Sequence, residues 1–145
     1  MIKKKITSIL IFFFFATCCL FSQEEAEFKV VVHKENSLSS ISKSKLSKIF
    51  LKKEKKWENG KTIIPIDQAD TSKVTLTFAE MVHKRNIATL KTYWQMLLFS
   101  GRSKPPIKKN NDKEVIEFVK NNPNAIGYIS SEIEISDVKE LKIEK

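Results

Sequence analysis

The alternation of hydrophobic and polar positions predicts strands and helices in succession along the chain. Short apolar or β-branched runs predict strands at 28–33, 62–67 and 125–130, with a weaker one at 138–143. Between them, apolar residues recur every three or four positions, as on one face of a helix. These faces are Leu46, Ile49 and Phe50; Val74, Phe78, Met81 and Val82; Ile87, Leu90, Tyr93, Trp94, Leu97 and Leu98; and Val115, Phe118 and Val119. Strands that alternate with helices predict an α/β fold, a small mixed sheet flanked by helices.

Polar and special residues mark where these elements begin and end. Ser42, Asn86 and Asn111 are suited to cap helix N-termini, and Gly101 is suited to end the longest helix. Pro65 cannot donate to a strand ladder, so its strand is expected at a sheet edge or to be irregular there. One core is expected around residues 30–32, built from Leu46, Ile49, Phe50, Phe78, Trp94, Leu97, Phe118, Ile126 and Tyr128.

The first 22 residues have the pattern of a secretory signal rather than of a folded element. Lys3, Lys4 and Lys5 precede an uncharged apolar run over 6–21, which is shorter than the roughly 20 residues of a membrane-spanning helix. We therefore expect residues 1–22 to be a signal peptide and residues 23–145 to form a single domain, exported to the periplasm or cell envelope. The same segment contains both cysteines, Cys18 and Cys19, which are either apolar filler or, in a lipoprotein, the site of acylation.

Composition narrows the function classes that need consideration. The chain carries a formal charge of +9, and residues 23–145 retain 23 basic and 17 acidic residues. There is no Gly-x-Ser-x-Gly motif, and a chain cleaved after residue 22 has no cysteine, so we expect no enzyme. His33 and His83 have no second ligand nearby in sequence, so no metal and no cofactor are expected. The lysines of 43–56 form either a surface for an anionic partner or, as we prefer, a solvated face; export argues against nucleic acid.

Four blocks in a fixed order resemble a known family. They are Leu46-x-x-Ile49-Phe50-Leu51, Trp57-x-x-Gly60-Lys61, Ile64-Pro65-Ile66-Asp67 and Asn122-Pro123-Asn124-Ala125-Ile126-Gly127-Tyr128. Over most of 28–130 the chain is similar to the substrate-binding proteins of phosphate ABC transporters, within the type 2 periplasmic-binding-protein superfamily. The resemblance implies the fold of one lobe of that two-lobed clamshell, in a chain of about half the usual length.

The resemblance also implies a ligand-binding turn, from which this sequence departs. The family places an Arg, and then Gly-Ser-Gly-Thr, where the chain enters a helix; such a helix start offers free N–H groups to an oxyanion. Here Gln68 stands in place of the Arg and Ser72 keeps the serine. The candidate ligand-binding residues are therefore Gln68, Thr71, Ser72 and Lys73, with Asp70 beside them as a source of repulsion for an anion.

Two functional hypotheses follow from this turn. In the first, the domain is an accessory module in uptake or sensing that binds a small oxyanion such as phosphate weakly. In the second, it has kept the fold without the ligand and contacts an envelope protein. A membrane would be involved only through a lipid anchor at Cys18 or Cys19.

Overall fold

The computed structural model describes residues 27–144, so the predicted signal segment with Cys18 and Cys19 lies outside it. The strands are β1 (Phe28–Val32), β2 (Ser40–Ser42), β3 (Ile64–Gln68), β4 (Ile107–Lys109), β5 (Ala125–Ser130) and β6 (Lys139–Glu144). The helices are α1 (Lys43–Phe50), α2 (Lys73–Phe78), α3 (Ile87–Phe99) and α4 (Asp112–Asn121), and a π-helical turn (Ala79–His83) follows α2 directly.

All six strands join one mixed sheet in the order β2-β6-β1-β5-β3-β4. β1 runs antiparallel to both of its neighbours, with Val30 opposite Tyr128 in β5 and Leu141 in β6. β3 runs parallel to β5 and β4, and β2 runs parallel to β6. The predicted α/β fold with a mixed sheet flanked by helices is therefore confirmed.

The interior forms two clusters, one on each face of the sheet, and the expectation of a single core is wrong. Successive strand residues point to opposite faces, so β1 divides its side chains between the two. Val30 and Val32 pack with the α1 and α2 side chains, and Val31 packs with α4. Gly127 allows α4 to approach closely, since a Cβ at this position would lie 2.6 Å from Val115 Cγ1.

The strand over Pro65 is not at the edge of the sheet. β3 lies between β5 and β4, and Pro65 is opposite Ile126 in β5. The ladder to β4 begins only at Ile66, opposite Ile107, so the missing N–H of Pro65 falls where β4 has not yet begun. The short strands β2 and β4 were not predicted from the sequence.

The predicted caps of three helices are confirmed. Ser42 accepts a hydrogen bond from the backbone N–H of Lys45, and Asn86 accepts one from Thr89. Asn111 accepts one from Glu114. After α3, Gly101 has a φ of 68°, the left-handed conformation that favours glycine.

Helix α3 is much less buried than its sequence predicts. None of its residues is buried, and Trp94 and Leu97, expected in the core, are only half-buried. Phe118 on α4 is also half-buried, at the margin of the second cluster. α3 packs against the body on one side, and Met96, Leu98 and Phe99 remain exposed. Within 27–144, no helix has the length and apolar character needed to cross a membrane.

Candidate functional site

The turn between β3 and α2 leaves the start of the helix without an internal cap. Ser72 has extended backbone angles at the N-cap position, and its side chain makes no hydrogen bond to the first turn. The N–H groups of Thr75 and Leu76 both donate to the Ser72 carbonyl, at 3.1 Å. Within 27–144, the N–H groups of Lys73 and Val74 have no acceptor. They are the groups with which a helix start contacts an anion.

Gln68 lies at the same end of β3, but its side chain points into the protein. It is 2 % exposed, and its Nε2 donates to Asp112 Oδ1 at 2.7 Å and to the Tyr128 carbonyl at 3.0 Å. The side chain thus links β3 to the start of α4 and to β5. It is not grouped with the side chains of the turn, and its amide protons already have acceptors.

Thr71 and Lys73 are both exposed at the surface of the turn. Lys73 borders a surface depression of about 310 Å³, together with Glu27 and Glu132. Two carboxylates near the lysine reduce the positive potential that it offers to an anion. Of the four candidate residues, Thr71, Ser72 and Lys73 are consecutive at the surface, and Gln68 is apart from them.

Asp70 forms ion pairs with two lysines that the sequence analysis did not single out. Lys91 of α3 lies 3.4 Å from Asp70 Oδ2, and Lys108 of β4 pairs with Oδ1. Partial burial would raise the pKa of Asp70, but the two lysines outweigh this effect and hold it below its ordinary value. Asp70 therefore remains ionised but paired, which weakens the repulsion that the sequence predicts. The signal for Lys91 was its position as the single charge in α3.

A second polar group lies deeper, beneath the turn. Asp67 Oδ1 accepts hydrogen bonds from the Gln68 N–H and from the Tyr128 hydroxyl, whose oxygen lies 3.0 Å from the Thr75 hydroxyl. Burial raises the pKa of Asp67, against the effect of these hydrogen bonds and of Lys108. Burial, followed by the charge of Asp67, raises the pKa of Tyr128 well above its ordinary value. Sequence reasoning placed Tyr128 in the core and assigned Asp67 no role.

The comparisons with known proteins give the class to which this fold belongs. The family model described as a PBP superfamily domain matches residues 26–144. The chain therefore belongs to the PBP superfamily, a group of binding proteins. Among curated proteins, none matches the chain.

Solved structures with this fold include phosphate-binding proteins. An ABC-type phosphate transport receptor from Vibrio cholerae has 17% identity and a TM-score of 0.66, over 82% of this chain and 47% of its own. A Clostridium perfringens structure, described as a phosphate ABC transporter substrate-binding protein with bound phosphate, has 19% identity and a TM-score of 0.61, over 81% and 44%. PstS from Borrelia burgdorferi has 19% identity and a TM-score of 0.56, over 81% and 47%. This chain spans less than half the length of each.

Proposed function

We propose that this domain is an exported binding module that contacts a small oxyanion such as phosphate weakly, as an accessory in uptake or sensing. The observation that carries the proposal is the uncapped start of α2, where the Ser72 hydroxyl and the N–H groups of Lys73 and Val74 have no protein partner within 27–144. The pairing of Asp70 with Lys91 and Lys108 supports it, because it offsets the negative charge that lies within the turn itself. The bound phosphate in the Clostridium perfringens relative supports the choice of ligand class.

The expected affinity is low, because the turn is open to water on one side. Water and salt compete with the anion there, and the free helix start offers only about half a unit of positive charge. We expect a dissociation constant no tighter than about 0.1–1 mM, which corresponds to roughly 4–5.5 kcal/mol. Binding should weaken as salt is added, since charge attraction at an exposed site is screened.

Phosphate titration followed by amide NMR tests both the strength and the place of binding. Saturable shifts are expected at the amides of Lys73 and Val74, and Ser72→Ala should weaken them. Ser136→Ala, at an exposed serine on another loop, is the matched control and should not. Shifts confined to 43–56 would move the anion site to the lysine-rich helix and loop. No shift up to tens of millimolar, about a hundredfold above the tighter limit, would reject anion binding.

A second function, contact with an envelope protein, is favoured by the surface of α3. Met96 is 65% exposed, Leu98 50% and Phe99 92%, and large exposed apolar patches often mark sites of protein contact. A photo-crosslinking amino acid introduced at position 99, in cells of the native host, tests this function. A discrete adduct at position 99, and none at the exposed control position 140, is the expected result. Equal labelling at both positions would reject it.

Export is part of the proposal and has its own test. Intact-mass analysis of the protein from its native host should show that residues 1–22 are missing. A diacylglyceryl adduct on Cys18 or Cys19 would instead identify the lipoprotein form, the alternative to simple cleavage after residue 22. A mass that begins at Met1 would contradict export by this segment.

A further inference from the structure

A cavity of about 230 Å³ lies between α3 and the rest of the domain. Its walls are mainly apolar and aromatic, and include Phe50, Phe78, Leu90, Trp94 and Leu98. Ser72, Lys73 and Val74, which are proposed for anion contact, do not line it, although the neighbouring Asp70 and Thr75 do. An apolar cavity of roughly 150 Å³ is large enough to hold a benzene molecule. This one therefore has room for an aromatic ring with a short substituent.

Two carboxylates, Asp67 and Asp70, form part of the lining of the cavity, and Asp70 is already paired with Lys91 and Lys108. Asp67 Oδ1 is satisfied by the Gln68 N–H and the Tyr128 hydroxyl, whereas Oδ2 has no donor within the described residues. Asp67 is partly exposed, so a molecule in the cavity has access to it. Asp67 Oδ2 is therefore an acceptor that a ligand in the cavity can satisfy with a donor of its own.

The other charges on the lining do not suit an anion inside this cavity. Lys91 and Lys108 also line it, but both pair with Asp70. His83 is neutral near pH 7, since burial, and then the charge of Arg85, lowers its pKa to about 4. An anion would therefore face Asp67 without a free cation. A cation would find a carboxylate and, at the walls, aromatic rings, whose faces attract positive charge.

We propose that this cavity binds a small aromatic amine, with its ammonium group donating to Asp67 Oδ2 and its ring packed between α3 and the core. The ring would lie among the side chains of Phe50, Phe78 and Trp94, which surround the cavity. The cavity adjoins the turn at Ser72 through Asp70 and Thr75, but the two proposed sites take different probes, so each can fail without the other.

The first experiment compares two probes that share a ring and differ in charge, tryptamine and indole-3-acetate. Calorimetry should show that tryptamine binds about tenfold more tightly or better. Asp67→Asn keeps an acceptor for Gln68 and Tyr128 but removes the charge, and it should weaken tryptamine binding by at least about tenfold. Asp137→Asn, at an exposed aspartate that pairs with Lys120, is the matched control and should leave binding unchanged. Equal affinity for the two probes would overturn the proposal, even if the Asp67 variant does not fold.

The two tryptophans give a second readout within one sample. Trp94 lines the cavity, whereas the Trp57 indole N–H donates to the Asn124 carbonyl at 3.2 Å, outside the cavity. In a ¹⁵N spectrum, tryptamine should shift the indole N–H signal of Trp94 and leave that of Trp57 in place. The shift should persist when phosphate is added, because phosphate is proposed to bind elsewhere. A shift of Trp57 alone, or displacement of tryptamine by phosphate, would contradict the assignment of the cavity.

Discussion

Helices α3 and α4 differ in burial in the direction opposite to their apolar content. Five of the ten residues of α4 are charged, yet it buries Val115 and Val119 against the sheet. α3 has one charged residue among its thirteen, and none of its residues is buried. Phe99, near its end, is 92% exposed.

The difference shows that the arrangement of apolar residues, not their number, determines how a helix packs here. The apolar side chains of α4 form one stripe, so a single contact with the sheet covers them. Those of α3 lie around the whole helix, and the body can cover only one side. A helix that is apolar all round is normally buried in a larger structure. The exposed side of α3 is therefore the surface to which the proposed contact with an envelope protein is assigned.

The largest expected effect comes from a matched pair of phenylalanines, one in the core and one on α3. Phe78 is 3% exposed and its ring stacks on Tyr128, with centroids 3.9 Å apart. Its replacement, Phe78→Ala, removes this stacking and leaves a cavity, at a cost of about 3–5 kcal/mol of unfolding free energy. Chemical denaturation measures the loss.

Phe99→Ala is the control for this loss and tests the comparison itself. Because Phe99 touches little of its own chain, the change should stay within about 0.5 kcal/mol. If Phe99→Ala destabilises the isolated domain as much as Phe78→Ala does, α3 is covered in solution, and the contrast drawn between the two helices is wrong.

Much of the fold could be predicted, because short sequence patterns encode its strands, caps and helix faces. The β-branched run of β1, the capping residues and the apolar face of α1 are each encoded within a few neighbouring residues. Trp57, in one of the four blocks that resemble the family, is 8% exposed, and its indole N–H donates to the Asn124 carbonyl. β2 and β4 were missed because three-residue strands carry too little pattern, and their pairing depends on distant partners.

The low burial of α3 could not be predicted, since periodicity shows which side of a helix is apolar but not what covers that side. The site was predictable only in part for a similar reason. Thr71, Ser72 and Lys73 are consecutive, so the sequence places them together at once. The pairing of Asp70 with Lys91 and Lys108 joins three separate elements, and only the fold brings these charges together.

A smaller effect is expected from His83, in the π-helical turn that contacts α1. Its Nδ1 lies 2.8 Å from the Ser47 hydroxyl, and its ring packs edge-on against Phe78. Burial, with Arg85 adding repulsion, lowers its pKa from 6.5 to about 4 in the folded state. Between these two values the unfolded chain binds more protons, so folding stability falls as the pH drops below about 6.5. The loss is complete below about pH 4 and amounts to at most about 3 kcal/mol.

The variant His83→Gln isolates this contribution from those of other groups. Asp67, whose pKa burial raises, acts in the opposite direction over part of the same range. The difference in unfolding free energy between wild type and variant removes that contribution, provided both are measured at each pH. This difference should shrink as the pH falls from 7 to 4. A constant difference would mean that His83 titrates alike in both states.

The smallest expected loss of stability concerns the hydrogen bond that holds α3 against the end of α1. The Tyr93 hydroxyl donates to the Leu51 carbonyl at 2.9 Å and ties the half-buried side of α3 to the end of α1. Tyr93→Phe removes only this bond, so the loss should be about 0.5–1.5 kcal/mol. Tyr128→Phe is the matched change in the core; it removes a donor to the Asp67 carboxylate and should cost more, about 1.5–3 kcal/mol. Hydrogen exchange separates the two further, because Tyr93→Phe should speed exchange in α3 and leave β5 protected. If both variants lose the same stability, with exchange raised throughout, α3 is as much a part of the cooperative core as β5.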